Sequence, residues 1–120
     1  MARPEPGRVL LVDDDPSVVS LITMAFARAG REAVGCSSFQ EGRSRLLAED
    51  FRCLIADVRL GEFNGLQLAV IARERRPGMG IIIFTGFDDP VLREEAAHLN
   101  ARYLVKPVTS EQLLALVDAC

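Results

Sequence analysis

Four short apolar runs, each followed directly by a polar or charged residue, constrain the fold of this 120-residue chain more than any other feature. The runs occupy residues 9–12, 53–56, 81–84 and 103–105, and they are followed by Asp13, Asp57, Thr85 and Lys106. Apolar runs of this length between turn residues are typical of buried strands. Segments with the helical spacing of apolar residues separate them, which indicates alternating strands and helices.

A further strand is predicted at residues 32–36, so that five strand–helix repeats fill the chain from residue 9 onward. Alternation of this kind predicts parallel strands joined by right-handed crossovers. The predicted fold class is therefore α/β, a three-layer α/β/α sandwich around a five-stranded parallel sheet. The length fits a single domain, residues 1–120, in which residues 1–7 are expected to form a flexible N-terminal tail.

Capping residues indicate where the helices begin and end. The predicted starts are Asp15 and Asp89, each before a proline, Ser38 with Glu41, and Thr109 with Gln112, the last two pairs fitting the capping-box pattern. Asn100 is expected to end the fourth helix in a left-handed conformation. Gly42 lies inside the predicted second helix, where glycine costs about 1 kcal/mol relative to alanine.

Charge and composition exclude several classes of protein. The net charge of −3 and the pI of about 5.1 argue against direct nucleic-acid binding by this domain. No apolar stretch has the length of a membrane span, and residues 1–8 lack the apolar core of a signal peptide. The three cysteines, Cys36, Cys53 and Cys120, show no metal-ligand spacing. An odd number of cysteines without an export signal fits a reducing compartment, so a cytoplasmic location is expected.

The acidic residues predict a metal site at one edge of the sheet. The carboxyl ends of parallel strands meet at the same edge, so Asp13, Asp14 and Asp57 are expected to share a crevice. Acids after a strand often form only a polar turn, and Asp15 is better placed to cap the first helix than to bind a metal. Carboxylates gathered in one crevice repel each other unless a cation is present. Mg²⁺, which binds a few carboxylates and keeps several waters, fits this set.

Thr85 and Lys106 each have a simpler explanation when taken singly. Threonine is common in strands, and lysine is usually a solvated surface charge. Pro107 changes the expectation for Lys106, because a proline directly after a strand forces a turn and an X-Pro bond can be cis. Together with Asp57, these residues predict a phosphoryl-transfer site built around a carboxylate nucleophile.

In their order and spacing, these residues resemble the receiver domain of two-component response regulators, from about residue 8 to residue 119. The likeness rests on the acidic pair after the first strand, the aspartate after the third, the threonine after the fourth and Lys-Pro after the fifth. Tyr103 falls at the aromatic switch position of that family. The resemblance implies a flavodoxin-like (βα)5 topology. Gly61, Glu62 and Val108 depart from residues frequent in the family, but they remove no reactive group.

The resemblance also implies a mechanism. Asp57 would take a phosphoryl group from a phosphohistidine on a sensor histidine kinase or a phosphotransfer protein. Mg²⁺ would be held by Asp14, Asp57 and the backbone carbonyl of Arg59, with Asp13 positioning a metal-bound water. Lys106 would stabilise charge on the phosphoryl oxygens. The protein would then be a signalling switch and not an enzyme that acts on other molecules.

The resemblance further implies a route by which the signal leaves the domain. Thr85 would bond the new phosphoryl group, and Tyr103 would move into the space that Thr85 vacates. The fourth helix, fifth strand and fifth helix would then present an altered surface to an effector protein or an output domain. Polar residues expected on that surface are Arg93, Glu94, His98, Arg102 and Glu111. The fifth helix lacks basic residues for charged pairing, so at most weak homodimerisation is expected, and no membrane contact.

Three alternatives share parts of this pattern. A haloacid-dehalogenase-type phosphohydrolase also phosphorylates an aspartate, but it needs an acidic motif after Lys106, where only Glu111 and Asp118 remain. A flavodoxin-like electron carrier needs phosphate-binding Gly, Ser and Thr residues after the first strand, where this chain has acids. A pseudo-receiver that has lost its chemistry is disfavoured because no reactive position is missing.

Overall fold

The computed structural model describes residues 7–120 and consists of alternating strands and helices. The strands of its main sheet are β1 (Val9–Val12), β2 (Ala33–Cys36), β3 (Cys53–Asp57), β4 (Gly80–Thr85) and β5 (Arg102–Val105). The helices are α1 (Pro16–Arg28), α2 (Phe39–Ala48), α3 (Gly65–Arg75), α4 (Pro90–His98) and α5 (Ser110–Asp118). Residues 1–6 of the predicted N-terminal tail lie outside the described residues.

The main sheet is parallel throughout, with the strand order β2-β1-β3-β4-β5. This order confirms the predicted five-stranded sheet and its flavodoxin-like topology. From β1 the chain passes to β2 on one side and then crosses to β3 on the other. In such sheets ligands bind beyond the carboxyl ends of the strands, at the point where the order reverses. The fold therefore places its natural crevice where β1 and β3 end.

Apolar side chains pack on both faces of the sheet, which confirms the three layers. One face is covered by α1 and α5, and its buried helical residues are Ile22, Phe26, Leu113 and Val117. The other face is covered by α2, α3 and α4, and its buried helical residues are Phe39, Leu46, Leu66, Leu68, Ala69, Ala72 and Ala96. Burying one Val, Leu, Ile, Phe or Met side chain contributes about 1.5–3 kcal/mol, so these two cores hold the layers together. None of the helices within residues 7–120 has the length and apolar character that crossing a bilayer requires.

Most of the predicted helix caps are present. The Asp15 carboxylate accepts a hydrogen bond from the amide two residues later, at 2.9 Å, and so begins α1. Thr109 and Gln112 form a complete capping box at α5. Asn100, just beyond α4, has a φ of 55°, the left-handed conformation that was predicted. These local signals set the helix boundaries and thereby the loops that carry the polar residues.

The start of α2 differs in part from the prediction. The Ser38 hydroxyl accepts a hydrogen bond from the Glu41 amide at 3.1 Å, but the Glu41 carboxylate accepts from the Ser37 amide at 3.4 Å, so the capping box is only half formed. Gly42 also has a packing role that its helix propensity does not reveal. A methyl group at Gly42 would lie 2.8 Å from the Val12 side chain. Glycine therefore lets α2 approach β1 closely.

An antiparallel hairpin of Arg59–Leu60 and Phe63–Asn64, absent from the prediction, follows β3. Its strands have two residues each, too few to produce a recognisable alternation of apolar and polar residues. Gly61 makes the turn with a φ of 67°, a conformation that favours glycine. The Phe63 ring stacks on Phe39 of α2 with 4.4 Å between ring centroids. The hairpin thus fixes the loop that follows Asp57 against α2.

Candidate functional site

The predicted acidic cluster is present at the carboxyl end of the sheet. Val12 of β1 lies opposite Ala56 of β3, so Asp13 and Asp57 emerge at the same level on adjacent strands. One carboxylate oxygen from each of Asp13, Asp14 and Asp57 lies within 4.8 Å of the other two. Asp13 and Asp57 are buried, whereas Asp14 is exposed. The site therefore has a buried floor of two carboxylates and one carboxylate at its rim.

Two predicted strand ends are displaced by one residue. The sequence pattern predicts Asp57 and Thr85 just after their strands, whereas in the structure they are the last residues of β3 and β4. Asp57 is paired with Phe84 in the ladder of the sheet. Its backbone is therefore held by the sheet, which fixes the direction of its carboxylate more firmly than a loop would.

Lys106 brings an ammonium group into the crevice, as predicted. Its Nζ donates hydrogen bonds to Oδ2 of Asp13 at 3.1 Å and to Oδ2 of Asp57 at 3.2 Å. Lys106 follows β5, which is separated from β3 by β4, so its side chain reaches across β4. Nζ lies 4.6 Å from the centroid of the Phe84 ring on that strand. The Lys106–Pro107 peptide bond is cis.

The second oxygens of the two buried carboxylates have different surroundings. Oδ1 of Asp13 accepts a hydrogen bond from the Asp15 amide at 2.9 Å, within the usual range. Oδ1 of Asp57 accepts from the Arg59 amide at 3.4 Å, which is longer than a typical hydrogen bond. Asp57 therefore has one oxygen tied to Lys106 and one that is only weakly engaged, and the latter is the oxygen available for a new bond.

The electrostatics of the crevice follow from burial and charge. Burial raises the pKa of the Asp57 carboxyl above its ordinary value, Asp13 acts in the same direction, and Lys106 offsets part of the increase. Burial of the Lys106 ammonium opposes its charge, but Asp13 and Asp57 outweigh this effect and raise its pKa. Within residues 7–120, the ion pairs to this cluster come from Lys106 alone, so three carboxylates face one cation. Two negative charges are left without an ionic partner when all three acids are ionised.

Gly65 is required by the close approach of α3 to the end of β3. A methyl group at Gly65 would collide with the backbone carbonyl oxygen of Asp57. The Gly65 amide donates a hydrogen bond to the carbonyl of Val58 at 2.8 Å, and Asn64 with Gln67 caps the helix at this point. This capping box is absent from the sequence-based predictions, although its Asn-x-x-Gln spacing is the signal that reveals it.

Thr85 and Tyr103 contact the same residue, Phe87. The buried Thr85 hydroxyl accepts from the Phe87 amide at 3.4 Å, and the Tyr103 hydroxyl donates to the Phe87 carbonyl at 3.2 Å. The Tyr103 hydroxyl also accepts from the Asp89 amide, while the Arg93 guanidinium lies over the Tyr103 ring. The loop between β4 and α4 thus connects the end of β4 with β5.

Phe87 also contacts Arg59, a contact that the sequence pattern does not predict. The Arg59 guanidinium lies over its ring, with Cζ 4.2 Å from the ring centroid. Arg59 comes from the loop after β3 and Phe87 from the loop after β4, so this contact joins the two loops beside the crevice. A cation and an aromatic residue far apart in sequence carry no spacing rule, and the contact could not be predicted from the pattern alone.

Comparison with known proteins agrees with this geometry. The model of the response regulator receiver domain family matches residues 9–118. Transcriptional regulatory protein GlrR of Escherichia coli K12 is 32% identical over 117 residues, which cover 95% of this chain and 26% of GlrR. Photosynthetic apparatus regulatory protein RegA of Cereibacter sphaeroides is 30% identical over 106 residues, which cover 88% of this chain and 58% of RegA. The chain thus spans about a quarter of GlrR and somewhat over half of RegA.

Solved structures share the fold. A CheY-like response regulator receiver domain protein from Methanospirillum hungatei JF-1 has a TM-score of 0.89 and 27% identity, covering 94% of this chain and 91% of that one. A response regulator from Burkholderia pseudomallei, solved with a phosphorylated aspartic acid, a calcium ion and citrate, has a TM-score of 0.86 and 25% identity, covering 92% and 66%. These matches give no support to the haloacid-dehalogenase alternative. The chain belongs to the response regulator receiver domain family of two-component signalling.

Proposed function

We propose that Asp57 accepts a phosphoryl group in a Mg²⁺-dependent reaction and that the resulting aspartyl phosphate changes the surface formed by α4, β5 and α5. The observation that carries this proposal is the placement of Asp57 between two other carboxylates and the Lys106 ammonium, with one of its oxygens weakly engaged. A carboxylate oxygen that is only weakly engaged can act as a nucleophile. The neighbouring ammonium, together with a cation held by the carboxylates, can compensate charge as a phosphoryl group approaches.

The donor set fits Mg²⁺. The three clustered carboxylates offer hard oxygen ligands, and their two unpartnered negative charges equal the charge of one divalent ion. We assign Asp14, Asp57 and the backbone carbonyl of Arg59 as direct ligands, with Asp13 holding a metal-bound water. A bound divalent ion at this position neutralises the cluster and stabilises negative charge on phosphoryl oxygens.

The residues of the chain have separate tasks in the transfer. An Oδ atom of Asp57 forms the new bond to phosphorus while the bond from phosphorus to the imidazole nitrogen of the donor histidine breaks. The Lys106 ammonium, which binds Oδ2 of both Asp13 and Asp57, is positioned to follow the charge onto the phosphoryl group. Because Asp13 and Asp57 are buried and their backbones emerge at the same level from neighbouring strands, these two groups need little reorganisation during the transfer.

The contacts of Phe87 support a route for the signal. The Thr85 hydroxyl is free to exchange its long bond to the Phe87 amide for one to a phosphoryl oxygen. The Tyr103 hydroxyl donates a hydrogen bond to the Phe87 carbonyl, so any movement of the loop that contains Phe87 is transmitted to Tyr103. Arg93, Glu94, His98, Arg102 and Glu111 are all exposed on α4, β5 and α5. We infer that this surface contacts the effector or output domain.

The partners follow from the chemistry and from the relatives. We propose a sensor histidine kinase or a phosphotransfer protein as the phosphoryl donor, in the cytoplasm. The relatives named above include a transcriptional regulator much longer than this chain, which supports an output domain or a separate effector as the recipient of the signal. The acidic receiver itself does not bind nucleic acid or membranes in this proposal, and its self-association is weak at most.

Intact-mass spectrometry with acetyl phosphate tests the phosphoryl transfer without the kinase. The wild-type protein is expected to gain one phosphoryl group when Mg²⁺ is present and none when EDTA is added. Asp57→Asn is expected to gain none under either condition, whereas Asp15→Asn, which alters a helix cap outside the cluster, retains the gain. Full phosphorylation of Asp57→Asn would transfer the nucleophilic role to another acid and overturn the proposal.

Nuclear magnetic resonance with beryllofluoride, a mimic of the aspartyl phosphate, tests the route of the signal. The amide signals of residues 86–118 are expected to shift well beyond the crevice, and Thr85→Ala is expected to reduce those shifts. A ligand moves a two-state surface only through its different affinities for the two states. Shifts confined to the loops around Asp57, with α4 and β5 unchanged, would contradict this part of the proposal.

A further inference from the structure

Cys53 and Cys120 lie side by side at the end of the sheet opposite to the acidic crevice. Their Sγ atoms are 3.8 Å apart although the residues are 67 positions apart in the sequence. Cys53 is the first residue of β3 and is buried, while Cys120 follows α5 and is exposed. A disulfide needs the two sulfurs at about 2 Å, so the two thiols must move closer together before they are linked.

Gly80 creates the space in which this pair meets. Gly80 is paired with Cys53 in the ladder between β3 and β4. A methyl group on Gly80 would collide with Sγ of Cys120 and would lie 3.5 Å from Sγ of Cys53. The space that a side chain would occupy at position 80 is therefore filled by the Cys120 thiol, which lies against the sheet beside Cys53.

Cys120 is the member of the pair that is set up to react. Its hydrogen bond with Cys53 and the positive charges of Arg52 and Arg102 outweigh its partial burial and lower its pKa to about 6. The Arg52 guanidinium also donates to the backbone carbonyl of Cys120 at 3.0 Å, which keeps this residue in place. A lowered pKa near cations favours the thiolate form of Cys120, whereas the hydrogen bond with Cys120 and burial raise the pKa of Cys53.

The third cysteine provides an internal contrast. Cys36 is buried in the core beneath α2, α3 and α4, whereas Cys53 belongs to the core beneath α1 and α5. Burial raises the pKa of Cys36 to about 11, so its thiol is unreactive at neutral pH. The chain therefore has two cysteines in contact, one exposed and one buried, and a third buried cysteine on the other face of the sheet.

We propose that Cys120 and Cys53 form a peroxide-responsive oxidation site of this domain. The Cys120 thiolate attacks one oxygen of hydrogen peroxide and the O–O bond breaks. The departing hydroxide takes up the proton that the thiol released on ionising, so the products are a sulfenic acid on Cys120 and one water. The Cys53 sulfur then attacks Sγ of Cys120, the S–O bond breaks, and the hydroxyl leaves as a second water with the Cys53 proton. The two sulfurs together lose two electrons and the peroxide gains two.

The disulfide would join the end of α5 to the start of β3. α5 belongs to the surface proposed to carry the phosphorylation signal, and β3 ends in Asp57. Oxidation therefore fixes the last turn of α5 against the central strand of the sheet, at the end away from the acidic crevice. This site does not depend on phosphorylation, so it stands or falls separately from the proposed function.

Thiol counting on the reduced 120-residue chain, treated with hydrogen peroxide and then denatured, tests the site. The untreated protein has three titratable thiols, and the oxidised protein is expected to have one. Its intact mass falls by two hydrogens, a non-reducing peptide map links Cys53 to Cys120, and dithiothreitol reverses the change. Cys36→Ala is the matched control and is expected to form the same link.

Two variants separate the steps of the reaction. Cys120→Ser, at an exposed position, is expected to keep both remaining thiols, and Cys53→Ala is expected to stop at a sulfenic acid that dimedone traps on Cys120. Gly80→Ala, which fills the space for the Cys120 thiol, is expected to slow formation of the link. The proposal is wrong if the wild type keeps all three thiols, if dilute protein forms only disulfide-linked dimers, or if Cys120→Ser still loses two thiols.

Discussion

The two ends of the parallel sheet carry their charges in opposite ways. At the carboxyl ends of the strands, Asp13, Asp14 and Asp57 face the single ammonium of Lys106 within the described residues. At the amino ends, arginine side chains are numerous and several of them meet acidic partners. Pairs with 2.8 Å separations are Arg8 with Glu49, Arg31 with Asp118, and Arg76 with Asp50, and Glu49 also pairs with Arg45 at this distance. At one end acids cluster around one cation, whereas at the other end arginines are spread over several separate ion pairs.

This difference distinguishes the proposed phosphorylation site from a surface that carries ordinary ion pairs. A cleft of about 1150 Å³ lies at the amino ends, and the charged residues that line it are Arg8, Arg31, Arg52, Arg75, Arg76, Asp50 and Asp118. Exposed ion pairs such as those of Arg31 and Arg76 contribute only about 0–1 kcal/mol each. The crevice at the carboxyl ends instead has two buried acids that share one ammonium and a third acid at its rim. The clustering of acids around one cation, and not the size of a cleft, is the observation on which the proposed phosphoacceptor site rests.

The largest effect is expected from a substitution of Gly65, at the carboxyl ends of the strands. Gly65→Ala places a methyl group against the Asp57 backbone carbonyl, so β3 or α3 must shift, at a cost of about 1–3 kcal/mol in the free energy of unfolding. Gly78→Ala, near the opposite end in a position where a methyl group meets nothing within 4 Å, is the control and should change stability by about 0.5 kcal/mol or less. Urea denaturation measures both. Equal losses for the two variants would remove the special role assigned to Gly65.

An intermediate effect is expected from the acids next to the site. Asp14→Ala removes the carboxylate at the exposed rim of the cluster and should weaken Mg²⁺ binding about tenfold, which corresponds to about 1.4 kcal/mol. Asp15→Ala removes a helix cap and should cost about 1 kcal/mol of stability with little change in Mg²⁺ affinity. Isothermal titration at fixed ionic strength measures the affinities. Similar losses of affinity in both variants would show that the roles of the two acids are wrongly assigned.

The smallest effect is expected at the amino end. The hydrogen bond and charge of Arg31 lower the pKa of Asp118 below its ordinary value of 3.8, so the pair stabilises the fold at higher pH and loses this effect as the pH falls through the lowered pKa. Asp118→Asn should therefore cost less than about 1 kcal/mol at pH 7, and the difference from wild type should shrink toward pH 3. Urea denaturation at the two pH values tests this, and a loss of phosphorylation in this variant would contradict the separation of the two ends.

The sequence predicted the elements whose signals are local. The apolar strands, the caps at Asp15 and Thr109 and the left-handed Asn100 are present as predicted. The crevice was also predictable, because parallel strands bring residues at their carboxyl ends to one edge whatever their separation in sequence. The bridge from Lys106 to Asp13 and Asp57 follows from the same rule, although its distances do not.

The features that could not be predicted depend on contacts between distant segments. The hairpin after β3 has strands of two residues, too short for a pattern. Helix propensity alone makes Gly42 unfavourable in α2, whereas the close approach of Val12 from β1 explains why a glycine is present there. The Cys53–Cys120 pair has no spacing rule, because it depends on where α5 ends relative to β4. In each case three-dimensional packing decides what the local sequence leaves open.

Direct mapping of the phosphorylated residue tests the central claim, that the uncompensated acids at the carboxyl end form a phosphoacceptor site. The protein is incubated with Mg²⁺ and acetyl phosphate, the acyl phosphate is reduced with borohydride to homoserine, and peptide sequencing by mass spectrometry locates the change. The account predicts homoserine at position 57 alone, and none when EDTA replaces Mg²⁺. Homoserine at position 13, 14 or 15, or modification at position 57 that is independent of the metal, would contradict it.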